Sequence, residues 1–126
     1  MVPKLRNVDQ MSIQKIGEEL KNTSQLCREL KIDKKEFFGG SMTISSLGGI
    51  GGTHFTPIIN PPEVAILGVG RTFDPLVKEK NQIVSKKILP ISLSYDHRLI
   101  DGAEGARFCV YLGKCLGKDF AFKLAV

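Results

Sequence analysis

The residues best equipped for chemistry stand together in Asp96-His97-Arg98-Leu99-Ile100-Asp101-Gly102. The chain has two imidazoles, His54 and His97, and charged side chains flank His97 on both sides. A neutral imidazole is a suitable general base near neutral pH, provided that its position is fixed. Asp101 has a plain structural role open to it as well. With Glu104 three residues on, it forms a capping box at the start of a helix, and it can also shape the loop around His97. Asp96 and Arg98 read as a local ion pair. A lone histidine is more often an ordinary surface or core residue than a catalyst. By themselves these residues leave both readings open.

The flanking elements must do the positioning. Ile88 to Leu93 is short, apolar and β-rich with Pro90 near its start, which predicts a buried strand. Ala103 to Leu116 predicts a helix, with Ala106, Cys109, Leu112 and Leu116 at spacings of three and four. His97 is thus expected in a short strand-to-helix connection.

Further towards the N-terminus, Val2 to Asp9 reads as an extended lead-in. Ser12 or Asp9 can cap a helix whose stripe is Ile13, Ile16, Leu20, Thr23, Cys27 and Leu30, read as core packing. Lys31 to Phe38 reads as a link with a short helical turn. Met42 to Ser46, His54 to Ile59 and Glu63 to Gly70 read as strands, the last apolar enough to be buried on both faces. Asn60-Pro61-Pro62 reads as a turn. Thr72 to Val77 and Gln82 to Leu93 are expected to pair across a turn at Lys78 to Asn81.

The glycine run Gly48-Gly49-Ile50-Gly51-Gly52 lacks the Gly-x-Gly-x-x-Gly spacing, and no Gly-Lys-Ser/Thr follows it. A dinucleotide or P-loop reading is therefore rejected. The glycines instead permit unusual backbone angles or close approach of another chain or ligand. The element order predicts an α+β fold with a largely antiparallel or mixed sheet.

Asp96 to Gly102 resembles the His-Arg-x-x-Asp-Gly signature of the dihydrolipoamide acyltransferases, the core components of 2-oxo acid dehydrogenase complexes. A related pattern marks chloramphenicol acetyltransferase, whose fold that family shares. Three further stretches match in order: Gly39 to Gly48, Phe55 to Glu63, and Val64 to Gly70. The version Ile44-Ser45-Ser46-Leu47-Gly48-Gly49-Ile50-Gly51-Gly52-Thr53 is most similar to bacterial acetyltransferases of the pyruvate dehydrogenase complex. The match runs from about Val2 to about Leu116. It covers the second half of the family's catalytic domain, so residues 1–126 are expected to be the C-terminal part of that domain. Arg71 to Lys87 and the tail after Gly113 depart from the pattern.

The resemblance implies a chloramphenicol acetyltransferase-like mixed sheet with flanking helices, as a partial domain. It implies that His97 is the base that deprotonates the thiol of coenzyme A or of dihydrolipoamide. It makes Ser45 the hydroxyl donor to the oxyanion, and Asp101 the aspartate that holds the active-site loop. Read from the residues alone, Ser45 is an ordinary strand residue of a Thr-Ile-Ser-Ser run. In the family the active site is a channel between neighbouring subunits of a trimer. Coenzyme A enters at one end and the lipoyl arm, carried on a domain absent from this chain, at the other. His97 and Ser45 would then meet from different chains. Trimers would build a cubic or larger core with the other pyruvate dehydrogenase components. The second reading is a truncated, non-catalytic core-assembly module of the same family.

Length and composition bound these expectations. At 126 residues, 42% hydrophobic and 25% charged, the chain is one small globular domain or part of one. No apolar run reaches the ~20 residues of a membrane helix, and Met1 to Gln10 has no signal-peptide core, so a cytoplasmic location is expected. Cys27, Cys109 and Cys115 are far apart and form no Cys-x-x-Cys pair, which indicates neither a metal site nor a disulfide framework. The net charge of +5 suits phosphate-bearing ligands such as coenzyme A. Its lysines are scattered and not interleaved with aromatics, which argues against nucleic acid. The apolar tail, with Phe120, Phe122, Leu124 and Val126, is expected to pack against something and to favour self-association.

Overall fold

Short β-branched and apolar runs build the sheet at the centre of the chain. The computed structural model describes residues 2–117 and Phe120. Its strands are β1 (Thr43–Ser46), β2 (Ala65–Val69), β3 (Leu76–Glu79), β4 (Gln82–Ser85) and β5 (Ile91–Tyr95). Its α-helices are α1 (Ile13–Arg28) and α2 (Gly102–Cys115). Two units divide the chain. One runs to Gly40 and is joined by residues from Lys114 on; the other is Ser41–Gly113.

In the second unit β1, β2 and β5 form a mixed sheet in that order, with β1 parallel and β5 antiparallel to β2. The α+β expectation is met. β2 has a neighbour on each side, and Ala65, Ile66, Leu67 and Gly68 are all buried. A strand in that position loses water from both faces, which is why its sequence is continuously apolar. The register sets Ser45 beside Gly68, and Gly68 beside Ser92.

The glycine run after β1 serves a tight turn. The Leu47 carbonyl accepts from the amides of Ile50, Gly51 and Gly52, each at 3.1 Å, and Gly51 has φ of 105°. A β-carbon on Gly48 would stand 2.9 Å from the Gly70 carbonyl oxygen. Close backbone approach, not a ligand, accounts for Gly48.

Several sequence expectations are corrected. His54 to Ile59 is not a strand. The Phe55 carbonyl accepts from Ser92 Oγ at 2.6 Å, and Pro57 has no amide to give a ladder. The segment lies across the sheet instead, with Phe55 and Pro57 filling the space above Gly68. The last strand starts at Ile91 and runs on to Tyr95. Before it, Ile88 makes a single bridge to Phe73, and the Pro90 carbonyl accepts from Gly70. The hairpin turn is Lys80-Asn81 alone, both at positive φ (44° and 69°), so Lys78 and Glu79 belong to β3. That is the geometry of a two-residue hairpin loop, which twists with its strands.

In the first unit Ser12 caps α1, its hydroxyl accepting from the Lys15 amide at 3.2 Å. The helix ends on Leu30 at φ 56°, with Lys31 bonded back to Leu26 and Leu30 to Cys27. This is a Schellman closure on a residue other than glycine. Asp33 caps the 3₁₀ turn Lys34–Phe37, and Glu36 ties it to the lead-in through the Lys4 amide and the Arg6 side chain. The lead-in is not extended throughout, because Val8–Gln10 forms a 3₁₀ turn.

The α1 stripe is not core. Ile16, Thr23 and Cys27 are half-buried, while Ile13 and Leu20 are each 57% exposed and Leu30 is 91% exposed. The periodicity is real, but the described residues do not cover it. On α2 the inward line is Gly105, Cys109, Leu112 and Cys115, while Ala106 and Leu116 are exposed. Cys109 and Leu112 are as expected, while Gly105, directly under Tyr95, and Cys115 take the places expected of Ala106 and Leu116. The expected packing of the tail from Asp119 to Val126 falls outside the described residues except at Phe120, which is exposed.

Two glycine substitutions separate these demands. A β-carbon on Gly17, within α1, meets open space, whereas one on Gly70 would collide with the Thr53 carbonyl and stand 3.0 Å from Pro90. Gly17→Ala should stabilise by ~0.5–1 kcal/mol through helix propensity. Gly70→Ala should cost ~1–3 kcal/mol through overpacking. Urea unfolding of the two variants should therefore move the midpoint in opposite directions; equal effects would contradict this packing.

Candidate active site

The turn that carries His97 is built from its two ends. On the strand side, the Asp96 amide donates to the Val64 carbonyl at 2.8 Å, the last bond of the sheet. The Asp96 carbonyl then accepts from Leu99 and Ile100, each at 3.0 Å, which closes a tight turn over His97. The Asp96 carboxylate accepts from the Arg98 amide at 3.0 Å and from its guanidinium Nη2 at 2.6 Å. The expected local ion pair is present, and these Arg98 hydrogen bonds hold the Asp96 carboxyl down at about 2. On the helix side, Asp101 Oδ1 accepts from the Glu104 amide at 2.7 Å, and the Asp101 carbonyl accepts from Gly105. Asp101 is therefore the N-cap of α2. The reciprocal half of the capping box, Glu104 back to the Asp101 amide, is not formed among the described residues.

Between these anchors His97 is exposed. Its imidazole centroid lies 5.7 Å from that of Tyr95, with the planes at 38°. A β-carbon on Gly102 would stand 4.0 Å from His97 Nε2, so the first turn of α2 lies beside that nitrogen. No hydrogen bond to the imidazole is made by the described residues, and both ring nitrogens stay open to a substrate.

Ser45 is half-buried on β1. It lies two strands across from Ser92, and Ser92 lies five residues before His97. Strand spacing and rise put Ser45 roughly 14 Å from Tyr95 at the end of β5, and His97 follows in the turn. One chain brings Asp101 and His97 together but does not bring Ser45 to them. His54 is exposed in the connection between β1 and β2, its ring 6.4 Å from that of Phe73. Tyr95 and Gly105 carry no sequence motif that marks them as part of the site.

Among the described residues no group of three His, Cys, Asp or Glu side chains could hold a metal ion, and no helix is long and apolar enough to cross a membrane.

Asp101→Ala should cost ~1 kcal/mol of stability, and Asp101→Asn only a few tenths, since asparagine caps as well. Thermal unfolding that ranked the two equally would contradict the cap. Asp96 gives a pH prediction. A carboxyl depressed from its ordinary 3.8 contributes its ion pair above that value and loses it as pH falls through about 2. Carboxyl NMR should place its midpoint near 2, and Arg98→Gln should raise it; a midpoint at 3.8 with Arg98 present would rule out the pair.

Comparison with known proteins gives one consistent result. Residues 1–121 match the model of the 2-oxoacid dehydrogenases acyltransferase catalytic domain. The Haemophilus influenzae dihydrolipoyllysine-residue acetyltransferase component of the pyruvate dehydrogenase complex is 50% identical over 116 residues, 92% of this chain and 20% of that protein. A crystallographic and enzymatic investigation of the Azotobacter vinelandii dihydrolipoamide acetyltransferase addressed a serine, a histidine and an asparagine in its catalytic mechanism. That structure superposes with a TM-score of 0.89 at 44% identity over 100% of this chain and 51% of its own. The cubic core of the pyruvate dehydrogenase multienzyme complex gives 0.90, also at 44% identity, with the same coverage. The chain thus spans about half the length of the solved chains and about a fifth of the Haemophilus protein. On this match the chain belongs to the 2-oxoacid dehydrogenase acyltransferase family, through its catalytic domain.

Proposed function

We propose that the chain is the C-terminal part of an acyltransferase catalytic domain that moves an acetyl group between dihydrolipoamide and coenzyme A. His97 is its general base, Ser45 its oxyanion donor, and Asp101 the residue that holds the His97 turn. The observation that carries this reading is the exposed imidazole with both nitrogens open, pinned between a strand end and a helix cap. Spacing supports it. In the Azotobacter protein the serine stands 52 residues before the histidine and the asparagine four after it. Ser45 and Asp101 hold the same offsets from His97.

The chemistry follows from the side chains. The His97 imidazole takes the proton of the attacking thiol, and the thiolate sulfur adds to the thioester carbonyl carbon. The Ser45 hydroxyl donates to the resulting oxyanion. Collapse breaks the original carbon–sulfur bond, and the departing sulfur recovers the proton from the imidazolium. General-base catalysis is typically worth ~10²–10⁴-fold and one oxyanion donor ~10²–10³-fold. Both groups must lie within a few ångströms of one carbonyl, and a single chain sets Ser45 roughly 14 Å from the strand end that carries the His97 turn. Ser45 of one copy therefore works with His97 of the next, in a ring of copies that can build a larger core.

The test joins this chain to the part of the catalytic domain that its structural relatives carry and it does not span. Acetyl transfer from acetyl-coenzyme A to free dihydrolipoamide is then measured. His97→Ala should lower turnover by at least ~10²-fold and Ser45→Ala by ~10²-fold. The double variant should lose less than their product, since both act on one intermediate. His54→Ala should leave the rate unchanged. Full turnover in His97→Ala, with loss in His54→Ala, would overturn the assignment.

A further inference from the structure

We propose that Tyr95 is the positioning residue for His97. In this arrangement the backbone of α2 at Gly105 presses the Tyr95 ring against the imidazole and so sets its orientation. Three observations meet here. The Tyr95 and His97 rings lie 5.7 Å apart at 38°. A β-carbon on Gly105, the one buried residue of α2, would stand 2.8 Å from Tyr95 Cε1, 3.1 Å from Cζ and 3.3 Å from Oη. A β-carbon on Gly102 would stand 3.9 Å from Tyr95 Oη and 4.0 Å from His97 Nε2. The tyrosine ring is therefore held between the first turns of the helix and the imidazole.

The physical need is plain. His97 has no hydrogen bond from the described residues to fix its ring, although its backbone is pinned on both sides. A base must be held to within about half an ångström of its working geometry, and a displacement of about 1 Å can cost ~10²-fold. An aromatic ring whose centroid lies 5.7 Å away restricts the χ angles of the imidazole without occupying either nitrogen. A hydrogen-bonding partner would have consumed one of them. Gly105 is glycine because any side chain there would drive Tyr95 out of this position.

The catalytic consequence rests on His97 being the base, but the positioning itself is read without turnover. The chain has two histidines, so ¹³C-labelled histidine gives two sets of ring signals, and His54→Gln assigns them. Tyr95→Leu should move the His97 ring-proton signals towards their positions in free histidine, by loss of the tyrosine ring current. Tyr95→Phe keeps the ring and should leave them in place. Gly105→Ala should move them as well, by displacing Tyr95. Gly113→Ala lies on the same helix with open space around its β-carbon and should not. Tyr95→Leu combined with Gly105→Ala should add nothing to Tyr95→Leu alone, since the collision needs the ring. If Tyr95→Leu does not fold, Gly105→Ala against Gly113→Ala decides the question. His97 signals unmoved in folded Tyr95→Leu or Gly105→Ala, or moved in Tyr95→Phe, would overturn the proposal. Those results leave the identity of the base untouched, which the His97→Ala kinetics test separately.

Discussion

Two backbone amides, those of Asp96 and Glu104, decide where His97 stands. The first donates to Val64 and closes the β2–β5 ladder; the second donates to the Asp101 carboxylate and opens α2. Five residues lie between the strand end and the cap, too few to wander once both ends are bonded. The sheet bears the load on one side because β2 is buried on both faces. The helix bears it on the other because a capped first turn has fewer unsatisfied amides. The imidazole thereby occupies a defined place with its nitrogens free, which is the condition for proton transfer to a substrate.

The same sheet that fixes His97 keeps Ser45 away from it. Ser45 and Ser92 flank Gly68 in register, and the chain must run on five residues beyond Ser92 to reach His97. The register fixes that path as far as Tyr95. The small core fits the same picture. Ala65, Ile66, Leu67 and Thr43 are buried, while Ile50, Ile58 and Leu30 are largely exposed. In the proposed reading that surface meets the rest of the catalytic domain or neighbouring copies.

Much of this is legible in the sequence where the determinant is local. The Asp101 cap, the Ser12 cap, the apolar β2 run and the strand-to-helix setting of His97 all follow from neighbours within four residues. The rest depends on contacts between distant residues. His54 to Ile59 is no strand because Ser92, far along the chain, takes the Phe55 carbonyl. The hairpin turn is narrower than the sequence predicts because Lys80 and Asn81 adopt positive φ without a glycine to announce it. The α2 stripe keeps Cys109 and Leu112 but begins at Gly105 and not at Ala106, because Gly105 meets Tyr95 across the helix–sheet contact. The α1 stripe is a true face but not core, because periodicity tells which residues seek cover and not what covers them. Residue types alone do not distinguish Ser45 from any other strand serine; family resemblance singles it out, and register shows what its role would require.

In the proposed assembly one active site draws Ser45 and His97 from two copies, and subunit complementation tests this most directly. Catalytic polypeptides bearing Ser45→Ala and His97→Ala, each inactive alone, are dissociated, mixed in equal amounts and allowed to reassemble. If the site lies between copies, random mixing leaves about one interface in four with both residues intact, and acetyl transfer should return to about a quarter of the unsubstituted level. If mixed assemblies form and activity does not return, serine and histidine act within one chain, and a site shared between copies is ruled out.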